Sequence, residues 1–312
     1  MFTLTEQETA RLAGAFGLTG AHVTGTHEGY RGTRTLRVQG EEGELFLRLY
    51  APYWRSLADQ VTFELEWLDL LFRQGLPVAR PVRTLQGSWT ILHDGVPVAG
   101  FAPLPGEPRF PLTAADAAAL GGLLGRLHLS AAPPVPEGVF RYDARTLLDQ
   151  PLAFGLRHLH GADARDWEDA GQQLRAVLDA IPTDGEAFGP VHADLHQWNV
   201  HWSPDGPGVL DFALCGVGYR LFDLAAFLWP LRDDTAGQPG VQDMCDAFVA
   251  GYQQVRPLMP QETAALEAFV KLRDLWEMHD FADWEPNFDA VKDVPGYLAR
   301  FRAHPGSLRW TS

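Results

Sequence analysis

The clearest chemical signal in the sequence is a set of oxygen-bearing side chains around a short hairpin. Residues 200–202 and 209–210 are predicted to pair as antiparallel strands, because the segment between them is dense in turn-forming residues. Asn199 precedes the first strand and Asp211 ends the second, so both are expected at the same end of the hairpin. An amide oxygen and a carboxylate are hard ligands suited to Mg²⁺ that retains waters and phosphate oxygens.

A second carboxylate precedes this pair. Asp194 lies five residues before Asn199, in the loop that leads into the hairpin. In that position it could face the same site without binding metal, and could orient a substrate hydroxyl and accept its proton. The alternative is a polar loop that merely caps a hairpin.

The first hundred residues are predicted to be rich in strands. Thr5 and Glu8 form a capping-box pattern that opens a helix over residues 6–16. A second helix has apolar residues at helical spacing from Val61 until Gln74 and Gly75 end it. The predicted strands, joined by short turns that include Asp94-Gly95, cover residues 23–25, 33–38, 44–50, 88–93 and 96–102.

The chain changes character after a proline-rich segment. Residues 103–111 contain four prolines and are predicted to be a hinge. Helices are predicted over residues 113–129, 163–181 and 261–284. The sequence therefore predicts an α+β fold with a strand-rich lobe over 1–102, a hinge over 103–111 and a mainly helical lobe over 112–312.

Arginine replaces lysine almost throughout the chain. Only Lys271 and Lys292 are lysines among 25 basic residues, so no lysine is available to a mechanism in the first 270 residues. Arg48 alternates with Phe46 and Tyr50 on one face of its predicted strand, opposite three leucines. A lone arginine on a strand is usually solvated, but Glu64 on the next helix offers a partner for a buried ion pair.

Charge and cysteine content exclude several classes of protein. The formal net charge is −15 at pH 7, which disfavours nucleic acid and anionic membranes as partners. Cys215 and Cys245 are too few for a disulfide framework. No signal peptide or membrane span is recognised near the N-terminus or in the apolar stretch 114–132, so a soluble cytoplasmic protein is expected. The oligomeric state is not predicted.

These motifs together resemble the aminoglycoside phosphotransferase family, which has a bilobal protein-kinase-like fold. The resemblance covers most of the chain and is nearest to the branch of stress-response kinases and type II homoserine kinases. It is carried by His192-Ala-Asp194-Leu-His-x-x-Asn199, by Leu210-Asp211-Phe212 and by Gly218-x-Arg220-Leu-x-Asp223-Leu-Ala. Further matches are Phe46-Leu-Arg48-Leu-Tyr, Glu64 with Gly75-Leu-Pro-Val, and Leu124-Gly-Arg-Leu-His128.

The resemblance implies a role for each matching residue. Asp194 would be the catalytic base, and Asn199 and Asp211 the Mg²⁺ ligands. Arg48 would be the cation on the α and β phosphates, with Glu64 as its ion-pair partner. Adenine would bind to backbone atoms of the hinge, near Phe101, Ala102 and Leu104.

The sequence departs from the family pattern at two positions. Ala193 replaces the usual glycine, an exchange expected to be harmless, and Arg48 replaces the usual lysine. Arginine keeps the charge and adds a fork for phosphate oxygens, but it is bulkier than lysine. This exchange leaves open whether nucleotide is ATP or GTP, and whether the chain is a nucleotide-binding pseudokinase without turnover.

The histidines allow a less favoured interpretation. His192, Asp194 and His196 crowd three possible metal ligands, as a metallophosphoesterase would require. A histidine at a strand end more often bonds backbone, and His192 is predicted to do so. Asp223 precedes an apolar run and could be a helix N-cap, or could have a structural role near the metal loop.

The family resemblance implies that the helical lobe binds the acceptor. Residues 274–293 hold seven acids against Lys292, and Asp274, Glu277 and Asp280 share one helical face. This face is either an acidic wall for an amine or simply solvated. The Gly-rich loop 25–32 could cover phosphates. The sequence therefore supports the hypothesis of an Mg²⁺-dependent kinase that moves the γ-phosphoryl group of ATP or GTP to a hydroxyl of a small molecule or a protein.

Overall fold

A computed structural model describes residues 4–29, 32–51, 58–234, 240–284 and 287–303. The chain divides into two compact units, and neither is continuous in sequence. The first comprises residues 1–107, 130–139 and 201–213, and the second comprises 108–129, 140–200 and 214–312.

The described helices and strands are labelled in chain order. The strands are β1 His22–Glu28, β2 Arg34–Gly40, β3 Gly43–Leu49, β4 Pro81–Val82, β5 Thr90–His93, β6 Val96–Phe101, β7 Arg141–Tyr142, β8 Phe188–Val191, β9 Val200–Ser203, β10 Gly206–Val209 and β11 Gly216–Tyr219. The helices are α1 Glu6–Ala15, α2 Ala58–Arg73, α3 Ala114–Leu129, α4 Gln150–Leu156, α5 Ala162–Asp179, α6 Leu221–Asp234, α7 Val241–Gln253, α8 Pro260–Trp284 and α9 Ala290–Ala303.

The first unit is built on a sheet with the order β1-β2-β3-β6-β4, and β5 also pairs with β6. The predicted antiparallel pairing of β2 with β3 and of β5 with β6 is confirmed. Alternation along β3 buries Leu45, Leu47 and Leu49 against α1, and leaves the opposite face for Arg48. The predicted capping box of α1 is also confirmed, since Thr5 and Glu8 exchange both bonds.

Strands β9 and β10 form a separate two-stranded sheet. The turn between them is shorter than predicted, because residues 206–208 join β10 although they are turn formers. Backbone bonds tie these strands to the first unit: Val209 N–H donates to the Pro77 carbonyl and Trp202 N–H to the Glu107 carbonyl, each at 2.8 Å. These bonds explain why residues 201–213 belong with the N-terminal sheet.

The second unit is mainly helical and depends on glycines where α3 crosses α7. A Cβ atom on Gly121 would lie 2.0 Å from the Phe248 carbonyl oxygen, and one on Gly251 would lie 2.1 Å from the Ala118 carbonyl oxygen. Only glycine permits such close backbone approach. This contact brings His128 of α3 beside Tyr252 of α7. Within the described residues, no helix has the length and apolar character needed to cross a membrane.

Candidate active site

An arginine and two carboxylates form the first group of predicted site residues, all within the first unit. Arg48 of β3 contacts Glu64 of α2 with Nη1 and Oε1 2.9 Å apart, and its Nη2 lies 3.2 Å from Oδ1 of Asp211. Tyr50 donates its hydroxyl to the second Glu64 oxygen at 2.9 Å. The buried Arg48–Glu64 ion pair expected from the sequence is therefore present, and Arg48 also bridges to Asp211.

Burial controls the ionisation of this group. Glu64 is fully buried, and burial raises its pKa to about 7, although Arg48 opposes this change. Burial by itself disfavours the charged Arg48, but the Asp211 and Glu64 carboxylates raise the pKa of Arg48 above its usual value. Arg48 therefore stays positively charged next to Asp211.

Asp211 follows β10 and has a left-handed backbone, with φ of +55°. Its side chain is 46% exposed, in contrast to Glu64, so one carboxylate of the group remains open to solvent. Asp211 thus has the chemistry and the accessibility of a metal ligand.

The expected adenine site lies at the end of β6. Phe101 ends that strand, and the Arg48 guanidinium lies 5.2 Å from the centre of its ring. The Ala102 N–H donates to the Arg80 carbonyl at 2.9 Å. An adenine contact at Ala102 would therefore use the Ala102 carbonyl, not its N–H. Leu104 is half-buried and packs against Gly208.

The second group surrounds Asp194 in the second unit. Arg273 of α8 is buried, and its Nη2 lies 3.0 Å from Oδ1 of Asp194, while its Nη1 donates to the Ala193 carbonyl. Asn199 donates its amide nitrogen to the Asp194 backbone oxygen at 3.0 Å and to its carboxylate at 3.3 Å. His196 Nε2 lies 3.5 Å from the same carboxylate.

Burial opposes ionisation of Asp194, but its neighbours more than offset that effect. A hydrogen bond from His196, together with the positive charge of Arg273, holds the pKa of Asp194 well below its usual value. Asp194 is thus a carboxylate at neutral pH. A carboxylate in this environment is able to accept a hydrogen bond from a hydroxyl group.

The loop that carries Asp194 is fixed by Asp223. The Asp223 carboxylate is fully buried and accepts the backbone N–H groups of His192 and Ala193. It also lies 2.9 Å from Nε2 of His128, whose Nδ1 lies 2.7 Å from the Tyr252 hydroxyl. The N-cap interpretation of Asp223 is wrong, since it lies inside the first turn of α6. Its expected structural role beside the loop is what the structure shows.

The exchange of glycine for alanine at position 193 has a conformational cost. Ala193 has φ of +65°, a region that an L-residue enters at a cost of about 1 kcal/mol. Its N–H and its carbonyl are both bonded, to Asp223 and Arg273, so long-range contacts hold this backbone in place.

The two loop histidines bond to backbone, as was expected for His192. The Nδ1 atom of His192 accepts from the Asp194 N–H, and that of His196 accepts from the Trp198 N–H, each at 3.2 Å. Among the described residues, no group of three His, Cys, Asp or Glu side chains is arranged to hold a metal.

The acidic face of α8 is not a solvated surface. Asp274 and Glu277 are at most 9% exposed. Glu277 pairs with Arg273, and Asp274 lies 3.7 Å from Arg300 and accepts from the Trp229 indole. The wall is therefore partly neutralised by arginine. Residues 30–31 of the Gly-rich loop 25–32 lie outside the described residues.

The predicted residues thus form two groups, one in each unit: Arg48, Glu64, Asp211 and Phe101 in the first, and Asp194 with Asn199 in the second. Sequence reasoning missed Arg273, which lies 79 residues after Asp194. Its one sequence signal was its position directly before the seven acids of the 274–293 segment.

Comparison with known proteins identifies the class. A model of the phosphotransferase enzyme family matches residues 22–258. A protein of Deinococcus radiodurans is 34% identical over 271 residues, covering 84% of this chain and 78% of that protein. The homoserine kinase of Xanthobacter autotrophicus is 29% identical over 302 residues, covering 90% and 87%. The chain belongs to the phosphotransferase enzyme family.

Solved structures show the same fold. A microcompartment-associated aminopropanol kinase superposes with a TM-score of 0.76 at 22% identity, covering 97% of this chain and 98% of that one. An amicoumacin kinase in complex with AMP-PNP, Ca²⁺ and Ami gives a TM-score of 0.74 at 19% identity, covering 96% and 92%. The predicted α+β, protein-kinase-like fold and the family resemblance are confirmed.

Proposed function

We propose that the protein is an Mg²⁺-dependent kinase that transfers the γ-phosphoryl group of ATP or GTP to a hydroxyl group of a small molecule. The observation that carries the proposal is the Asp194 carboxylate, ion-paired with buried Arg273 in the loop that matches the family motif. Family membership supports phosphoryl transfer as the reaction class. The AMP-PNP complex of a structural neighbour supports a nucleotide as the donor.

Asp194 is proposed to act on the acceptor. Because its pKa is lowered, it is ionised at neutral pH and accepts a hydrogen bond from the acceptor hydroxyl. As the acceptor oxygen bonds to the γ-phosphorus, the bond from that phosphorus to the β–γ bridging oxygen breaks. The proton passes to Asp194 and the nucleoside diphosphate leaves. Most of the rate enhancement would come from positioning and electrostatics.

Asn199 and Asp211 fit Mg²⁺ by their chemistry. The amide nitrogen of Asn199 is used by Asp194, so its amide oxygen is the atom oriented away from that bond. Asp211 offers a half-exposed carboxylate. Two protein oxygens are enough for an ion that usually keeps several waters and binds phosphate oxygens. When bound, the ion would neutralise charge on the phosphates.

Arg48 is proposed to contact the α and β phosphates. It is held by Glu64 from one side, which fixes the direction of the guanidinium. Its contact with Asp211 shows that the arginine reaches the carboxylate proposed as a metal ligand. An arginine fork suits phosphate oxygens at least as well as a lysine ammonium does.

The acceptor class is proposed from the relatives. Several relatives are homoserine kinases, and a structural neighbour is an aminopropanol kinase. Homoserine and aminopropanol are both small amino alcohols. We infer a small amino alcohol as acceptor. Glu277 pairs with Arg273, and Asp274 lies near Arg300. An acceptor amine would therefore have to compete with these two arginines for the carboxylates.

A labelled-phosphate screen with ATP and GTP tests the proposal. Homoserine, isopropanolamine, choline and a serine-containing protein would be offered as acceptors, with and without Mg²⁺. The expected result is label on a small amino alcohol only when Mg²⁺ is present, with a large loss in Asp211→Asn. An Arg73→Gln variant is a control for the loss of a charged side chain away from the proposed site, since Arg73 is exposed on α2 and ion-pairs with Asp69.

A pseudokinase is the second candidate, favoured by the arginine in place of lysine. Arg48 is engaged by two carboxylates, so nucleotide phosphates must compete for it. Nucleotide binding in a thermal-shift titration, with no label on any acceptor in the screen, would select this alternative over the kinase.

A further inference from the structure

Two exposed aromatic rings contact each other beside the proposed catalytic loop. Trp198 and Phe110 have ring centroids 4.0 Å apart and planes inclined by 39°. Trp198 is 65% exposed and Phe110 is 41% exposed. Isolated exposed apolar side chains need no explanation, but an exposed tryptophan in contact with a second exposed ring forms a small apolar patch.

The Trp198 side of this pair is fixed by the catalytic loop itself. Its backbone N–H donates to Nδ1 of His196, whose Nε2 lies 3.5 Å from the Asp194 carboxylate. Asn199, the next residue, bonds to Asp194 as well. The backbone of Trp198 is thus held between two residues that contact the proposed base.

The Phe110 side is also held. The preceding residue, Arg109, contacts the Asp116 carboxylate at 2.5 Å, and Thr113 and Asp116 exchange capping bonds at the start of α3. Phe110 therefore lies in a short segment tied at both ends to the second unit. Rings held in this way lose little conformational freedom when a ligand binds.

We propose that Trp198 and Phe110 form an aromatic platform that binds a planar apolar part of the acceptor alcohol. This inference rests on the proposed function: Trp198 bonds to His196, which contacts the Asp194 carboxylate, so an acceptor with its hydroxyl at Asp194 would have the rest of the molecule near this loop. The adenine ring is expected at Phe101 to Leu104 in the first unit and does not need this platform. An aryl group would stack on the exposed rings, and this preference adds to recognition of the amine and the hydroxyl.

A matched pair of amino alcohols tests the platform. Phenylethanolamine and isopropanolamine carry the same amine and the same secondary hydroxyl, and differ only in a phenyl group in place of a methyl group. Their dissociation constants would be measured by calorimetry for the wild type, Trp198→Ala, Trp198→Phe and Phe110→Ala. Phe72→Ala is the control, because the Phe72 ring is as exposed as that of Phe110 but lies in the first unit.

The wild type and Phe72→Ala are expected to bind phenylethanolamine about tenfold more tightly than isopropanolamine, which is about 1.4 kcal/mol. In Trp198→Ala the ratio should fall to about one, with a smaller fall in Phe110→Ala and most of the preference kept in Trp198→Phe. The proposal is overturned if the wild type shows no phenyl preference or no measurable binding of phenylethanolamine. It is also overturned if Trp198→Ala weakens only ATP binding.

The outcome is separable from that of the proposed function. Transfer of label from ATP to isopropanolamine, without any preference for the phenyl compound in binding, would support the kinase activity and contradict the aromatic platform. Tighter binding of the phenyl compound that depends on Trp198, without transfer of label to either alcohol, would support the platform and contradict the kinase activity.

Discussion

Acidification is predicted to destabilise the protein through His128, the buried residue that supports the Asp223 carboxylate. Burial lowers the pKa of His128 to about 4 from the usual 6.5, although Asp223 opposes this change. Between about pH 6.5 and about pH 4, His128 is therefore protonated in the unfolded chain but neutral in the folded chain. Stability from this source is complete above about pH 6.5 and is lost as the pH falls towards about 4.

The magnitude follows from these two values. Between about pH 7 and about pH 5, proton linkage with a folded pKa of about 4 removes about 2 kcal/mol from the free energy of unfolding. Protonation would also put a second proton on Nδ1, which now faces the Tyr252 hydroxyl. The loop amides held by Asp223 would then loosen, so activity of the folded protein should fall only as the pH approaches about 4.

Urea unfolding at a series of pH values, for the wild type and His128→Gln, measures this effect. Glutamine can still donate to Asp223 and has no titrating group, so the variant should lose about 2 kcal/mol less than the wild type between about pH 7 and about pH 5. The difference isolates one residue from the other acids and bases of the chain. If the free energy of unfolding had the same pH dependence in both proteins, His128 would not be the source of the acid destabilisation.

Three further substitutions probe the packing and both groups of the site. Gly121→Ala should lower the free energy of urea unfolding by about 3 kcal/mol, because its Cβ would lie 2.0 Å from the Phe248 carbonyl oxygen. The neighbouring Gly122→Ala, with 3.6 Å to the nearest atom, should not destabilise the protein, and equal effects of the two substitutions would contradict close backbone packing at Gly121. Arg48→Met should weaken ATP binding in calorimetry by about 10–100-fold, whereas Arg48→Lys should stay within about tenfold; unchanged affinity in the methionine variant would contradict a phosphate contact. Arg273→Met should lower kcat by about 100-fold at an unchanged KM for ATP, with partial recovery in Arg273→Lys, and an equal loss in nucleotide affinity would contradict its positioning of the base.

Local patterns predicted much of the first unit. The Thr5 cap, the Asp94-Gly95 turn and the alternation around Arg48 are set by residues a few positions apart, and each was found as predicted. The Arg48–Glu64 pair was also predictable, because a strand followed by a helix brings residues 16 positions apart together.

The contacts that fix the Asp194 loop were harder to predict. Arg273, Asp223 and His128 contact the loop, or one another, across 30 to 95 residues, and no short-range periodicity marks such contacts. The conformation of Ala193 was missed for the same reason, since an alanine gives no local sign of a positive φ. Similarly, residues 206–208 are turn formers, but they belong to β10, which contacts Pro77 and Leu104 more than 100 residues earlier in the chain.

A single-turnover measurement tests the proposed role of Asp194 as the base in phosphoryl transfer. Asp194→Asn keeps the shape of the side chain and removes its basicity. With labelled ATP, Mg²⁺ and the best acceptor from the screen, Asp194→Asn is expected to bind nucleotide like the wild type and to transfer the label about 10²–10⁴-fold more slowly. Transfer by Asp194→Asn at the wild-type rate would show that Asp194 is not the base.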